Sequence, residues 1–229
     1  MREADLVDRM RARRDNPAYL PGIRVPEKVE PVGRIADAVQ GAELVVSAVP
    51  SQFARGVYLE LAQSLPAELP LLVTCKGIEE GSLALPLQVA AGELGAPERL
   101  AVLSGPSFAL EVAERKPTAV VLAAAEDAAL ATRLQRAVSS RELRIYTNQD
   151  PLGVQLSGAV KNVMAIAVGI SESLGMGTNA RAALVTRGLA ELSRLVRALG
   201  GNPETAAGLA GMGDLVLTCT GPLSRNLRV

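Results

Sequence analysis

The strongest constraint on the fold is an alternation along the first two thirds of the chain. Residues 43–49, 71–75, 100–103, 118–122 and 142–146 are short apolar runs rich in Val, Leu and Ile. Helical stretches separate them, from 51 to about 64, across 83–94, after Ser107, and over the amphipathic segment 126–138. Strands buried on both faces read as unbroken apolar runs, and parallel neighbours need a crossover between them. The reading is α/β: a doubly wound parallel sheet with helices on both faces. Near Asn148-Gln149-Asp150-Pro151 the strand pattern stops and helices take over, at 153–170, at 178–199, and in shorter pieces after Asn202-Pro203. The helix at 178–199 carries an apolar stripe of Leu184, Leu192, Leu195, Val196 and Leu199. Gly200-Gly201 stops it, and Asn202 as N-cap with Pro203 behind it starts the next. The predicted division is an α/β domain over 1–147 and an all-helical domain over 148–229.

Composition narrows the chemistry. Lys+Arg and Asp+Glu both number 24, so no general electrostatic grip on nucleic acid or an anionic membrane is expected. No uninterrupted apolar window reaches about eighteen residues, and the best segment, 159–170, contains Lys161 and Asn162, so no membrane insertion is expected. The charged start, Met1-Arg2-Glu3-Ala4-Asp5, has no apolar run behind it and is not read as a signal peptide. Two cysteines, Cys75 and Cys219, make no disulfide framework and fit a reducing, cytoplasmic setting. There is no histidine, which excludes Ser-His-Asp and Cys-His catalysis and leaves acid–base work to Lys, Asp, Glu, Tyr or Cys. Among 24 basic residues only Lys28, Lys76, Lys116 and Lys161 are lysines. A lysine kept in an arginine-rich chain marks a place that needs a compact, titratable ammonium, or it is residual codon bias.

A single G-x-G-x-x-[GA] match, Gly175-Met176-Gly177-Thr178-Asn179-Ala180, lies between two helices rather than between a strand and a helix. Its amides would not meet a pyrophosphate there, so it reads as a helix–helix connection. The segments after the strands are more informative. Ala48–Gln52, Thr74–Glu79 and Leu103–Ala109 fall on the rim where parallel sheets bind ligands, and they supply Lys76, Gly105, Ser104 and Ser107. Ordinary turn and cap chemistry explains each one alone. In the helical half, Lys161 and Asn162 sit inside an apolar helix. A lysine at the helix edge could snorkel, but apolar neighbours on both sides favour a buried ammonium whose pKa is lowered towards use in proton transfer. Asp214, after Gly211-Met212-Gly213 and one helical turn before Thr218, is either an N-cap or a functional carboxylate. Ser224-Arg225-Asn226 suits a phosphate at a helix start.

Together these segments resemble the bacterial-type NAD(P)-dependent glycerol-3-phosphate dehydrogenase family. The likeness runs in order through Asn16–Pro21, Ala48–Gln52, Cys75–Glu79, LSGPSFA at 103–109, GAVKNV at 158–163, and GDLVLTCTG at 213–221. It implies a Rossmann-like domain followed by a helical substrate domain. It also implies reversible hydride transfer between NADH or NADPH and dihydroxyacetone phosphate or sn-glycerol 3-phosphate, serving glycerophospholipid synthesis. By resemblance Lys161 is the general acid–base. Lys76, Gly105, Ser107, Asp214, Ser224, Arg225 and Asn226 match substrate-binding positions, and Arg2, Tyr19, Lys76, Ala109 and Arg225 match cofactor-side positions. Thr218 and Asn162 would orient the substrate; the oligomeric state stays open, with a homodimer as one candidate. Members open with a strand, a glycine-rich turn and a helix of roughly 30 residues, and continue beyond Ser224-Arg225-Asn226. The chain is therefore read as truncated at both ends, with the first βαβ unit missing and an unprotected apolar sheet edge. Without the pyrophosphate loop no NADH oxidation by these 229 residues is expected, and an inactive remnant that binds only a phosphate ligand or a partner chain is the competing reading.

Overall fold

In the computed structural model, described for residues 4–124, 127–221 and 223–224, the chain opens with helix α1, Ala4–Arg13. A hairpin follows, β1 (Asp15–Asn16) against β2 (Leu20–Arg24), antiparallel, with Tyr19 at its turn. The sequence reading had no strands here: the pair is too short and polar to show a period. After the short α2 (Ile35–Val39) comes β3 (Val45–Ser47), then α3 (Ser51–Leu61), β4 (Leu71–Val73) and α4 (Pro86–Leu94). Next are β5 (Leu100–Ser104), α5 (Ala109–Ala113), β6 (Thr118–Ala124), α6 (Ala128–Val138) and β7 (Leu143–Asn148).

The five strands β3 to β7 form one sheet in chain order. All neighbours are parallel except β5 and β6, which pair antiparallel from Ala101↔Ala124 to Ser104↔Val121. The parallel sheet expected from the sequence thus carries one antiparallel ladder. A parallel return must carry the chain back along the strands, and the one helix between β5 and β6 has five residues, rising only about 7.5 Å. Helices cover both faces. Ala54, Tyr58, Leu61, Leu87 and Ala90 pack on one face with Leu71, Val73, Leu100 and Val102, and Leu130, Ala131 and Leu134 pack on the other with Leu72, Ala101, Leu122 and Ile145. Strand β3 ends the sheet and pairs only with β4 among the described residues, and Val46 on it is 53% exposed.

Four helices follow: α7 (Pro151–Ser173), α8 (Gly177–Ala198), α9 (Pro203–Ala206) and α10 (Asp214–Thr220). Helix α7 is the spine. Its first turns put Val154 into the sheet core and Leu156 against Leu192, Val196 and Ala206, and its later turns put Ala165 and Val168 against Leu215 and Cys219. It is longer than the sequence segment suggested. It is also the one described helix long and apolar enough by length and composition to cross a membrane, yet half of that apolar window is buried within the protein. On α8, Leu192 and Val196 are buried as the stripe predicts, but Leu199 is more than half exposed and Leu195 about a third, so the buried face is narrower than the pattern. Gly175 and Gly177 connect α7 to α8 in left-handed conformations, as the helix–helix reading of the glycine motif requires.

Asp150 ties the halves of the helical region. Its carboxylate accepts the Gly153 amide at 2.9 Å, capping α7, and the Asn202 amide at 2.9 Å, while Asn202 in turn caps α9 through the Glu204 amide at 3.0 Å. Asp150→Ala removes an acceptor shared by two helix-end amides and should cost about 1–2 kcal/mol in urea unfolding, with Asp150→Asn losing less. An unchanged midpoint for Asp150→Ala would remove the shared cap from the account of stability.

Candidate functional site

The parallel strands β3, β4 and β5 end on one rim, and the loops leaving β4 and β5 carry Lys76 and Gly105. Gly77 and Gly105 both adopt backbone angles that side chains disfavour, φ 146° and 141°. A Cβ on Gly105 would lie 3.0 Å from the Val120 Cα, so glycine is what lets this turn lie flat on β6. The Gly105 carbonyl then accepts two side-chain donors, Lys76 Nζ at 3.0 Å and Ser107 Oγ at 3.1 Å.

Helix α7 brings Lys161 to the same place, and α10 brings Asp214. The carboxylate of Asp214 is 1% exposed and divides its oxygens: Oδ2 accepts Lys76 Nζ at 2.5 Å, and Oδ1 accepts Lys161 Nζ at 2.6 Å. Lys161 Nζ also donates to Thr218 Oγ1 at 3.0 Å, and that hydroxyl donates to the Asp214 carbonyl at 2.6 Å. Asp214 is not an N-cap, as one reading of the sequence had it. It is the first residue of α10, entered from a wide turn, Leu209–Gly213, whose Gly211 could carry no side chain because a Cβ would fall 2.0 Å from the Ala206 carbonyl oxygen. The turn aims the carboxylate inward instead of along the helix amides.

Two ammonium groups share one carboxylate, so among the described residues this cluster holds one more positive charge than negative. That suits a substrate that is anionic or becomes so. Burial, and next the charge of Lys76, push the Lys161 pKa down, while Asp214 pulls it up; the net direction is down. Burial moves the other candidate acid–base groups away from use: the Tyr58 phenol rises to about 12, and the Cys75 and Cys219 thiols to about 11. Of the four lysines, Lys116 pairs with Glu114 and Glu111 at the surface, so scarcity alone did not mark the site.

Around this cluster, Tyr19, Phe108, Ala109, Lys161, Asn162, Thr218 and Ser224 line a cleft of about 840 Å³. A second, of about 460 Å³, is lined by Lys76, Ser104, Ser107 and Ala109 among others. Ala109 borders both. Tyr19 stands exposed at the hairpin turn, and Ser224 is buried with its hydroxyl unpartnered among the described residues. Predicted positions Lys76, Gly105, Ser107, Ala109, Lys161, Asp214 and Ser224 thus gather around one rim, with Tyr19 at its edge. Arg2, Arg225 and Asn226 lie outside the described residues. The sequence reading missed Phe108 as a wall of the cleft. It also missed the sharing of one carboxylate by both lysines, for which the spacing of Asp214 and Thr218 by one helical turn was the available signal.

Residues 1–131 match the N-terminal family model of NAD-dependent glycerol-3-phosphate dehydrogenase, and residues 150–229 match its C-terminal one. A glycerol-3-phosphate dehydrogenase [NAD(P)+] of Aromatoleum aromaticum is 51% identical over 228 residues, covering all of this chain and 69% of the relative. One of Dechloromonas aromatica is 52% identical with the same coverage. The crystal structure of glycerol-3-phosphate dehydrogenase from Coxiella burnetii superposes with a TM-score of 0.92 at 43% identity, over 99% of this chain and 69% of that one. On these matches, which together span nearly all of its length, the chain belongs to the NAD-dependent glycerol-3-phosphate dehydrogenase family.

Proposed function

We propose that the protein interconverts dihydroxyacetone phosphate and sn-glycerol 3-phosphate, and that Lys161 moves the proton. The observation that carries this is the buried Lys161–Asp214–Lys76 cluster, whose Lys161 lines one cleft and whose Lys76 lines the other. A nicotinamide cofactor, when bound, would supply or accept the hydride at C2. As C2 gains hydride, the carbonyl π electrons move to oxygen, and the Lys161 ammonium gives that oxygen its proton and is left neutral; oxidation reverses each transfer. Desolvation makes Lys161 a better acid than an exposed lysine, while Asp214 holds it protonated until the carbonyl arrives. Lys76, fixed by Asp214 and the Gly105 carbonyl, supplies positive charge to the developing alkoxide and would help to hold a bound cofactor.

Ser107 and Gly105 on the β5 rim and Ser224, Arg225 and Asn226 beyond α10 are assigned to the substrate, the last three to its phosphate. Thr218 and Asn162 orient it. Ala109 and Tyr19 border the cleft and, with Arg2 and Arg225, are assigned to the cofactor side; a small residue and an exposed ring there leave room for a flat heterocycle. Residues 1–147 would hold mainly cofactor and 148–229 mainly substrate. We place the reaction in the cytoplasm, supported by two cysteines with no disulfide. A homodimer belongs to the same reading, supported by the exposed Val163, Ile170 and Leu174 along α7. The family likeness favours this reading over an inactive remnant.

Lys161→Ala should lower NAD(P)H oxidation with dihydroxyacetone phosphate about 10²–10⁴-fold while circular dichroism stays native; near-normal turnover would remove Lys161 from its role. Carbonyl reduction needs protonated Lys161, so its rate should fall as pH rises through the lowered pKa, and glycerol-3-phosphate oxidation should rise over the same range. Because Asp214 raises that pKa, Asp214→Asn should move both limbs to lower pH in stopped-flow profiles. A shift to higher pH would contradict the assignment.

A further inference from the structure

We infer that Gly158, which is not among the residues lining the two clefts, is a positioning residue: its missing side chain sets the path of Lys76 to Asp214. Gly158 lies on α7 one helical turn before Lys161, on the same face. It is buried, and a Cβ built on it would lie 3.3 Å from Lys76 Cγ, 3.5 Å from Lys76 Cδ and 3.1 Å from Ser104 Oγ. The stem of Lys76 therefore crosses α7 directly against the place a methyl group would take, close enough at Cγ for that methyl to press on it. From that crossing its ammonium reaches Asp214 Oδ2 at 2.5 Å and the Gly105 carbonyl at 3.0 Å. Lys161 leaves the same helix one turn later and reaches the other oxygen of the same carboxylate.

The geometry explains a helix composition that propensity does not. Glycine inside a helix costs roughly 0.5–1 kcal/mol relative to alanine. Here φ is an ordinary helical one, so the cost brings no conformational benefit, and the benefit must come from what passes over it. A Cβ at Gly158 would press on the Ser104 hydroxyl and on Lys76 Cγ, and of these the long lysine stem is the freer to give way by a few tenths of an ångström. The ammonium end then retreats from the carboxylate. Among the described residues, three titratable groups face Lys161: Asp214 and Cys219 on α10, and Lys76 on the β4 loop. Lys76 holds the Lys161 pKa down, so its retreat acts on the catalytic lysine at a distance.

This inference rests on the proposed roles of Lys161 and Lys76, and its test is independent of turnover. The chain has four lysines, so their side-chain nitrogen signals in ¹⁵N-lysine-labelled protein can be assigned with single Lys→Arg variants. In Gly158→Ala the Lys161 titration should move to higher pH with the far-UV spectrum unchanged, and where turnover is measured kcat should fall about tenfold. In a Lys76→Ala background, Gly158→Ala should leave the Lys161 titration where Lys76→Ala alone puts it. An unchanged Lys161 titration in folded Gly158→Ala would overturn the inference. So would a further shift in the Lys76→Ala background, which would mean that Gly158 acts through the helix. If Gly158→Ala alone does not fold, the double variant decides: recovery of folding places the clash at Lys76 as inferred, and continued failure places it elsewhere and overturns it.

Discussion

The carboxylate of Asp214 is where the demands of this fold meet. Buried to 1% exposure, a lone carboxylate would cost several kcal/mol to desolvate. It is tolerable because each oxygen has its own ammonium partner. Those partners come from positions 138 and 53 residues away in sequence, one on a sheet rim and one on the spine helix. The three elements must dock correctly together or the site carries uncompensated charge. Removing either lysine leaves a buried anion less satisfied, and removing the aspartate leaves two cations facing each other. Such a cluster specifies geometry more than it adds stability.

The docking depends on close approach. Helix α7 reaches the sheet and the rim through small residues on its inner face: Gly153, where a Cβ would collide with the Asp150 carboxylate, and Gly158, where it would meet Lys76 and Ser104. Gln155, between them in sequence, accepts the Leu87 amide at 2.8 Å and donates to the Pro151 carbonyl at 3.0 Å, so α7 also completes the first turn of α4. Rigid attachment of α7 to both layers is what fixes the root of a long, flexible lysine beside the Asp214 carboxylate. Further out, Gln52 on α3 donates to the Ile78 carbonyl and accepts the Glu80 amide, each at 3.0 Å, holding the loop that follows Lys76.

Much of the architecture was legible because burial leaves a periodic trace. Apolar runs marked the five strands of the sheet, and the switch at Asn148-Gln149-Asp150-Pro151 fell between β7 and α7. Asn202 and Pro203 started α9 as their cap chemistry requires. What stayed hidden has physical reasons. Strand direction is not in the period, so the antiparallel β5–β6 ladder was invisible until the short α5 between them could be measured against the length of the sheet. The hairpin at β1–β2 is too short for a pattern. On α8, only the neighbours on each side decide which of the stripe's leucines are covered.

At the site the division is sharper. Local sequence marked Lys161 as an ammonium in apolar surroundings, Lys76 and Gly105 as residues on a ligand-binding rim, and Asp214 as a carboxylate after a glycine turn. Each of those statements concerns a residue and its near neighbours in the chain, and side-chain chemistry and local backbone preference suffice for them. That Lys76 and Lys161 divide one carboxylate between them, and that Gly158 leaves room for the stem of one beside the root of the other, are facts about distant segments. Only packing brings those segments within 3 Å, and only the tertiary structure could decide them.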